Sequence, residues 1–232
     1  YTNLSRYILF LYTFCIGYIP ASDSETLTAD TTPLSSQQQA LAFLEKLSEL
    51  KQSTYWPHVR PLAFVQNLKK NIEVPLSIYE GRSTNFCAYA ALSYLPLHDD
   101  PLTYVKFMVK LYQDGKAVYG KANFKPTKEV KQAAGTLSFK GELDVRPADQ
   151  LWFLALADHF KGYLNILDKH FNMGDSNKCW AAVNFAKFNR MIRTLFNYQV
   201  DAVGSDLIRP GVGDIFEYLS DRLQTGHVAL FV

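Results

Sequence analysis

Apolar residues recur at helical spacing along most of this chain. Leucines at positions 41, 44, 47 and 50 fall on one face of a helix that Ser36 caps, with charged side chains around them. The same periodicity, bounded by proline, glycine or capping side chains, predicts further helices at 62–72, from Cys87 to Pro96, at 102–112, at 151–171, and from Asp175 or Ser176 to Phe196. Helices therefore account for most of the predicted regular structure.

Strand signals are sparse and short. Three segments have the composition of strands, at 136–140, 198–203 and 227–232. No internal repeat is visible in the chain. Segment 22–36 is rich in serine, threonine and aspartate, so we predict an exposed linker ahead of a compact body that starts near Ser35. The pattern predicts an α+β fold in which helices dominate.

The composition is that of a globular protein with no bias towards nucleic acid. Hydrophobic residues make up 48% of the 232 residues and aromatic residues 14%, which is enough to build a core. The formal net charge is +2, and no run of lysine or arginine is long enough to predict a nucleic-acid partner. The most basic stretch, from Lys121 to Lys131, is interrupted by Pro126 and Glu129 and predicts a solvated loop.

The three cysteines, Cys15, Cys87 and Cys179, are too few for a disulfide framework. None of them lies in a CxxC or CxxH spacing of the kind that binds zinc, so we predict no metal site and no cofactor. An odd number of cysteines leaves at least one thiol free. The chemistry of a free thiol depends on where it lies in the fold.

The N-terminal segment is open to two interpretations. Arg6 precedes an apolar run over 7–19 that is short for a membrane span, and Ala21 follows as a cleavage position. A signal peptide would make residues 1–34 a leader with its linker and the protein secreted or periplasmic, with membrane association only through this segment. Alternatively, the run is an apolar strand or helix of the fold itself.

Cys87 lies where a thiol can be activated. It begins a segment rich in alanine and leucine that predicts a helix, and the partial positive charge of a helix N-terminus favours thiolate over thiol. The backbone N–H of Cys87 could form half of an oxyanion hole, and the Asn85 amide could supply the other half. The alternative is that Cys87 is a small buried hydrophobic residue of the core.

Among the five histidines, His227 is the best candidate for a general base. It opens an unbroken apolar run that predicts a buried strand, and a strand can hold an imidazole rigidly at the edge of a cleft. A cysteine nucleophile needs such a base or an imidazolium partner at neutral pH. We therefore predict a Cys87–His227 pair.

The C-terminal segments resemble a known signature. Pro210-Gly211-Val212-Gly213-Asp214-Ile215-Phe216, followed by Gly226-His227-Val228-Ala229-Leu230-Phe231, resembles the "Pro-x-x-Gly-Asp-hydrophobic … His-Val-hydrophobic" pattern of bacterial cell-wall hydrolases. Those enzymes are cysteine/histidine-dependent amidohydrolases and peptidases with a papain-like fold. In them the Gly-Asp pair precedes a core strand, and the histidine starts the next strand.

The resemblance implies a papain-like domain over 35–232 with a small antiparallel sheet and a large helical insertion at about 102–198. Cys87 would be the nucleophile and His227 the base. The third catalytic member is unknown, because the family's third polar residue follows the histidine strand and would lie beyond Val232. Either the C-terminus is truncated, or the orienting residue comes from elsewhere in the chain, or there is none.

The implied function is hydrolysis of an amide bond in peptidoglycan peptides or a peptide-like substrate. A bacterial toxin or effector with an inhibitor or immunity protein as partner fits the same resemblance. The alternative is a non-catalytic helical binding or scaffold domain with Cys87 in its core.

Overall fold

The computed structural model describes residues 36–47, 49–82, 84–162, 171, 180–207, 211–224 and 226–229. The predicted leader and linker over 1–34, together with Cys15 and Cys179, lie outside these residues. The chain divides into two compact units, of which the first spans Leu34–Val183 and the second includes Asn184–Val232. The single hydrolase domain expected over 35–232 remains a prediction.

The described part of the chain is helical with two small antiparallel sheets, which confirms the α+β class. The first unit contains helices α1 (Ser36–Glu45), α2 (Pro61–Glu73), α3 (Cys87–Asp99), α4 (Pro101–Asp114), α5 (Lys128–Ala133) and α6 (Pro147–His159), a 3-10 turn (Pro75–Ser77) and strands β1 (Ala117–Tyr119), β2 (Ala122–Phe124), β3 (Ser138–Phe139) and β4 (Glu142–Leu143). The second unit contains α7 (Phe185–Leu195) and α8 (Ile215–Leu223). No helix in these ranges is long and apolar enough to cross a membrane.

Local signals set the ends of α4. The Asp100 carboxylate accepts the Thr103 N–H at 3.1 Å, and Pro101 occupies the first helical position, where its missing N–H costs nothing. Gly115 ends the helix in the left-handed region at φ 65°, where a Cβ atom would lie 2.5 Å from the Tyr55 ring. The helices predicted at 102–112, 62–72 and from Ser36 are confirmed with small changes of boundary.

Both sheets are two-stranded hairpins. Ala117 pairs with Phe124 in β1–β2, and Ser138 pairs with Leu143 in β3–β4. The strand predicted at 136–140 is thus present in part. The prediction of a solvated loop from Lys121 to Lys131 is wrong, because this stretch holds β2 and α5.

Two other predicted helix ends are also wrong. Pro96 does not end α3, which continues to Asp99 with Pro96 buried inside it. The helix predicted at 151–171 ends at His159, where the Phe160 N–H caps it by donating to the Leu156 carbonyl. The prediction of a strand at 198–203 is wrong as well, since these residues have no regular structure.

The core of the first unit surrounds Trp152, whose side chain is fully buried. Its indole N–H donates to the Ser93 hydroxyl at 2.9 Å. Four aromatic rings lie within 6.3 Å of it, namely those of Tyr104, Phe107, Tyr119 and Phe124. These contacts bring α3, α4, α6 and the first hairpin together, so α6 is buried on all sides from Ala148 to Asp158.

A polar cluster is buried between α2 and α6. The Asp149 carboxylate accepts hydrogen bonds from the amides of Asn71 at 2.6 Å and Asn67 at 3.2 Å. Arg146 donates to the Asn71 side-chain oxygen at 3.2 Å and to the Ser77 carbonyl. Complete burial raises the pKa of Asp149 to about 6, although both amides and the Arg146 charge act in the opposite direction. The cluster thus holds a carboxyl group that titrates near neutral pH.

Candidate active site

Phe86 fixes the start of α3 in the core and leaves Cys87 at the surface. The Phe86 side chain is fully buried, with its ring 5.5 Å from that of Phe153 and 6.0 Å from that of Tyr89. Cys87 is the first residue of the helix and is exposed. The interpretation of Cys87 as a core residue is therefore wrong, because the neighbouring phenylalanine takes the core position instead.

The turn before Cys87 is held by hydrogen bonds rather than by a side-chain cap on the helix. The Thr84 hydroxyl donates to the Glu80 carbonyl at 2.5 Å and accepts the Phe86 N–H at 3.2 Å. Gly81 adopts φ 95°, and a Cβ atom there would lie 2.8 Å from Thr84 and 2.9 Å from Val145. The backbone leading to Cys87 is therefore closely fixed.

The surroundings of Cys87 favour the neutral thiol. Although Cys87 is exposed as a residue, partial burial of its sulfur raises the pKa of the thiol above the ordinary value, and the charge of Glu80 raises it further. The backbone N–H groups of Ala88 and Cys87 favour negative charge on the sulfur and so lower the pKa, but the net shift of the pKa is upward. The helix N-terminus thus lowers the pKa of the Cys87 thiol, as predicted. Since the net shift is nevertheless upward, the surroundings of Cys87 do not give the expected preference for thiolate.

The predicted oxyanion donor, Asn85, is half-buried and stands two residues before Cys87, in the same turn. The predicted base, His227, belongs to the second unit, where it is half-buried with its ring 6.4 Å from that of Tyr198. Residues 227–229 form no strand, so the prediction of a strand opening at His227 is wrong for these residues, while 230–232 lie outside the described ranges.

Asp214 has a different structural role from the one that the resemblance implies. Its carboxylate accepts the N–H groups of Phe216 at 2.9 Å and Glu217 at 3.1 Å and so caps α8. The Gly-Asp pair therefore precedes a helix instead of a core strand. No residue of α8 is buried, and Phe216 is 70% exposed.

The first unit has two further polar features, around residues to which the sequence assigned no functional role. A cavity of about 190 Å³ is lined by Lys125, Thr127, Asp158, His159 and Lys161, among others. The Asp158 carboxylate accepts the Thr127 N–H at 2.8 Å and lies 3.5 Å from the Lys161 ammonium. At the end of α3, the Nδ1 atom of His98 lies 2.7 Å from the Asp99 carboxylate.

The second unit carries an open groove of about 470 Å³ along α7. Arg190 and Arg193, one turn apart, line it together with Phe185, Asn189 and Ala202. Lys187, on the same helix, is buried, and this burial, with the charge of Arg190, lowers its pKa to about 7. The groove is mainly apolar with a cationic edge.

Comparison with protein-family models, with curated proteins and with solved structures found no match for this chain. Its function is therefore inferred from its residues and their geometry.

Proposed function

We propose that this protein is a cysteine hydrolase that cleaves an amide bond, with Cys87 as its nucleophile. The observation that carries the proposal is the position of this thiol. Cys87 is exposed at the first position of α3, and its backbone is fixed by Phe86 and Thr84. The backbone N–H groups of Ala88 and Cys87 favour negative charge on the sulfur and lower the pKa of the thiol. Groups that stabilise negative charge on sulfur in this way can also stabilise an oxyanion formed on a neighbouring carbonyl.

In the proposed reaction the Cys87 thiolate attacks the carbonyl carbon and forms a tetrahedral oxyanion. The C–N bond then breaks, the amine leaves with a proton from the His227 imidazolium, and a thioester remains on the sulfur. His227 next takes a proton from water, which attacks the thioester, releases the carboxylate and restores the thiol. Asn85 is the proposed side-chain donor to the oxyanion, and a third catalytic residue is not assigned.

This mechanism requires His227 to counter the raised pKa of the thiol. A cysteine with a pKa above its ordinary value is mostly protonated at neutral pH and reacts slowly. An imidazolium close to the sulfur favours the thiolate. The pairing of Cys87 with His227 is therefore part of the proposal and can be tested separately from the assignment of the nucleophile.

The substrate class is proposed from the resemblance to cell-wall hydrolases with a papain-like fold. It consists of peptidoglycan peptides or another peptide-like chain, acted on by a bacterial protein outside the cytoplasm. In the same proposal an inhibitor or immunity protein would be the natural partner of a toxin or effector. The papain-like arrangement of the whole chain belongs to the proposal too.

A non-catalytic binding domain is the second candidate function, favoured by the groove along α7. This groove offers an apolar floor beside Arg190 and Arg193, which suits an anionic partner with apolar side chains. The exposure of α8 adds further apolar surface to the second unit. In this reading the thiol of Cys87 has no chemical role.

The test is an assay of the purified protein on purified peptidoglycan, with short peptide amides as the second substrate. We expect new amines and carboxylates to appear in equal amounts, because each cleaved amide yields one of each. Pre-treatment with iodoacetamide, with mass-spectrometric confirmation that Cys87 is the alkylated residue, should remove the activity. If activity is unchanged when Cys87 is fully alkylated, the proposed function is wrong.

A further inference from the structure

We propose that the cavity between the end of β2 and the end of α6 binds a small phosphate monoester. Lys125, His159 and Lys161 are the groups that would bind the phosphate oxygens. This site lies in the first unit and does not include Cys87, so it goes beyond the proposed hydrolysis and is independent of it.

The cavity lies where two segments of the first unit meet. The segment that follows β2 supplies Lys125 and Thr127. The end of α6 and the residues after it supply Asp158, His159 and Lys161. The Thr127 N–H donates to the buried Asp158 carboxylate at 2.8 Å and so joins the two segments. The walls of the cavity are therefore held in place by the fold.

The lining of the cavity carries an excess of positive charge. Lys125 and Lys161 each bring an ammonium group, and among the described residues that line the cavity Asp158 is the only carboxylate. This carboxylate is already compensated, because it accepts the Thr127 N–H and lies 3.5 Å from the Lys161 ammonium. In the described part of the chain no ion pair involves Lys125. The cavity therefore favours an anion over a cation.

The basic stretch Lys121–Lys131 adds further positive charge beside the cavity. It contains four lysines and one acidic residue, Glu129. It includes β2 and α5, and both of these elements pack against α6. An anion that approaches the cavity therefore meets a positive field, which speeds association at low ionic strength.

Neutral hydrogen-bonding groups lie beside these charges. The Thr127 hydroxyl accepts the Val130 N–H at 3.4 Å as the cap of α5, so its own O–H can donate to a ligand. The Asn123 amide also lines the cavity. The His159 imidazole lies against Phe124, with ring centres 4.8 Å apart, so packing holds it at the wall. Donors of these kinds bind phosphate oxygens.

The size of the cavity suits a phosphate group with a short carbon chain. Its volume of about 190 Å³ is that of about six water molecules in the liquid, which is more than a phosphate group alone fills. A phosphate monoester carries about two negative charges at pH 7. It therefore matches the ammonium groups of Lys125 and Lys161 better than a single carboxylate would.

The experiment measures binding of glycerol 3-phosphate to the purified chain by isothermal titration calorimetry at low ionic strength. Inorganic phosphate, acetate and ethanolamine are titrated in the same buffer as a phosphate without a carbon chain, a carboxylate and a cation. We expect glycerol 3-phosphate to bind one site per chain, more tightly than inorganic phosphate. Acetate and ethanolamine should bind at least about tenfold more weakly, because they lack the second negative charge or carry the opposite one.

Lys125→Gln and Lys161→Gln should each weaken the binding of glycerol 3-phosphate at least about fivefold, because a unit charge about 4 Å away in water is worth that factor. Added salt should reduce the difference. The matched control, Lys121→Gln, removes an exposed lysine of the same basic stretch that does not line the cavity, so the affinity should change less than about twofold.

Asp158→Asn should tighten binding of glycerol 3-phosphate. The amide oxygen can still accept the Thr127 N–H, while the negative charge beside Lys161 is removed. An unfolding midpoint close to that of the unaltered protein is the control for folding. A carboxylate with only a structural role, or one that binds a cationic ligand, would not give tighter binding of an anion when it is replaced.

Equal affinity for glycerol 3-phosphate in Lys125→Gln, Lys161→Gln and the unaltered protein would overturn the proposal, because the anion would then bind elsewhere. No binding of glycerol 3-phosphate to the unaltered protein would overturn it as well. Acetate or ethanolamine binding as tightly as glycerol 3-phosphate would show that the cavity does not select a phosphate, and inorganic phosphate binding more tightly would refute the ester.

Discussion

Cys87→Ala is expected to abolish amide hydrolysis, with a fall in rate of at least about 10⁴-fold, because the variant lacks the sulfur on which the proposed thioester forms. His227→Ala should cause a loss of similar size. A nucleophile and its base act as one unit, so the double variant should be no worse than either single one. The measurement is release of amines from peptidoglycan or from a peptide amide, at equal concentrations of folded protein.

Matched variants separate the loss of chemistry from a loss of folding. Cys179→Ala removes a different thiol, and His58→Ala removes an exposed imidazole of the first unit, so both should keep full activity. His227→Ala also needs a comparison of its unfolding midpoint with that of the unaltered protein. Full activity in Cys87→Ala would refute the thiol mechanism and favour the binding function of the α7 groove.

The second large effect is expected in the pH dependence of stability. Burial raises the pKa of Asp149 to about 6, above the ordinary value of an unfolded aspartate. The folded state therefore holds the Asp149 proton more tightly, and its contribution to stability is fully present below pH 4 and is lost as the pH rises to 6. A shift of this size corresponds to as much as about 3 kcal/mol in the free energy of unfolding.

Asp149→Asn should remove this contribution, because an amide does not titrate. The measurement is the free energy of unfolding in urea at pH 4 and at pH 7, for the variant and for the unaltered protein. The change in this free energy between the two pH values is calculated for each protein. The amount by which the change differs between the two proteins is the contribution of Asp149. Glu142→Gln, which removes an exposed carboxylate on β4, should leave the pH dependence unchanged. The same slope in Asp149→Asn and in the unaltered protein would show that Asp149 does not titrate in this range.

Elements with strong local signals could be predicted from the sequence. Helix α4 has a capping aspartate, a proline in its first turn and a glycine at its end, and each acts through neighbouring backbone groups. The start of α2 follows in the same way from Pro61. These signals need no knowledge of the tertiary fold.

Elements that depend on long-range packing could not be predicted. The hairpin β1–β2 lies in a lysine-rich stretch, and its buried Ala122 and Phe124 pack around Trp152, which is distant in sequence. Pro96 is tolerated inside α3 because the helix is packed on both sides of it, with Leu95 and Leu97 buried. Tertiary contacts therefore override local propensity at these positions.

The candidate site shows the same division. The position of Cys87 at the start of a helix follows from its local sequence, and the structure has α3 begin at this residue. The upward shift of its pKa does not follow from the local sequence. Partial burial and the charge of Glu80 arise from the folded turn, and together they exceed the effect of the helix N-terminus. Whether a base offsets this shift decides if the thiol is a catalyst.

The most direct test of the Cys87–His227 pair is the pH profile of Cys87 alkylation by iodoacetamide, followed by peptide mapping. The proposed pair predicts a Cys87 thiolate at neutral pH in the unaltered protein, and a profile in His227→Ala that moves to higher pH, above that of a free cysteine. His58→Ala, which removes an exposed imidazole, should follow the unaltered protein. Identical profiles in the unaltered protein and in His227→Ala, both above that of a free cysteine, would contradict the pairing and with it the proposed mechanism.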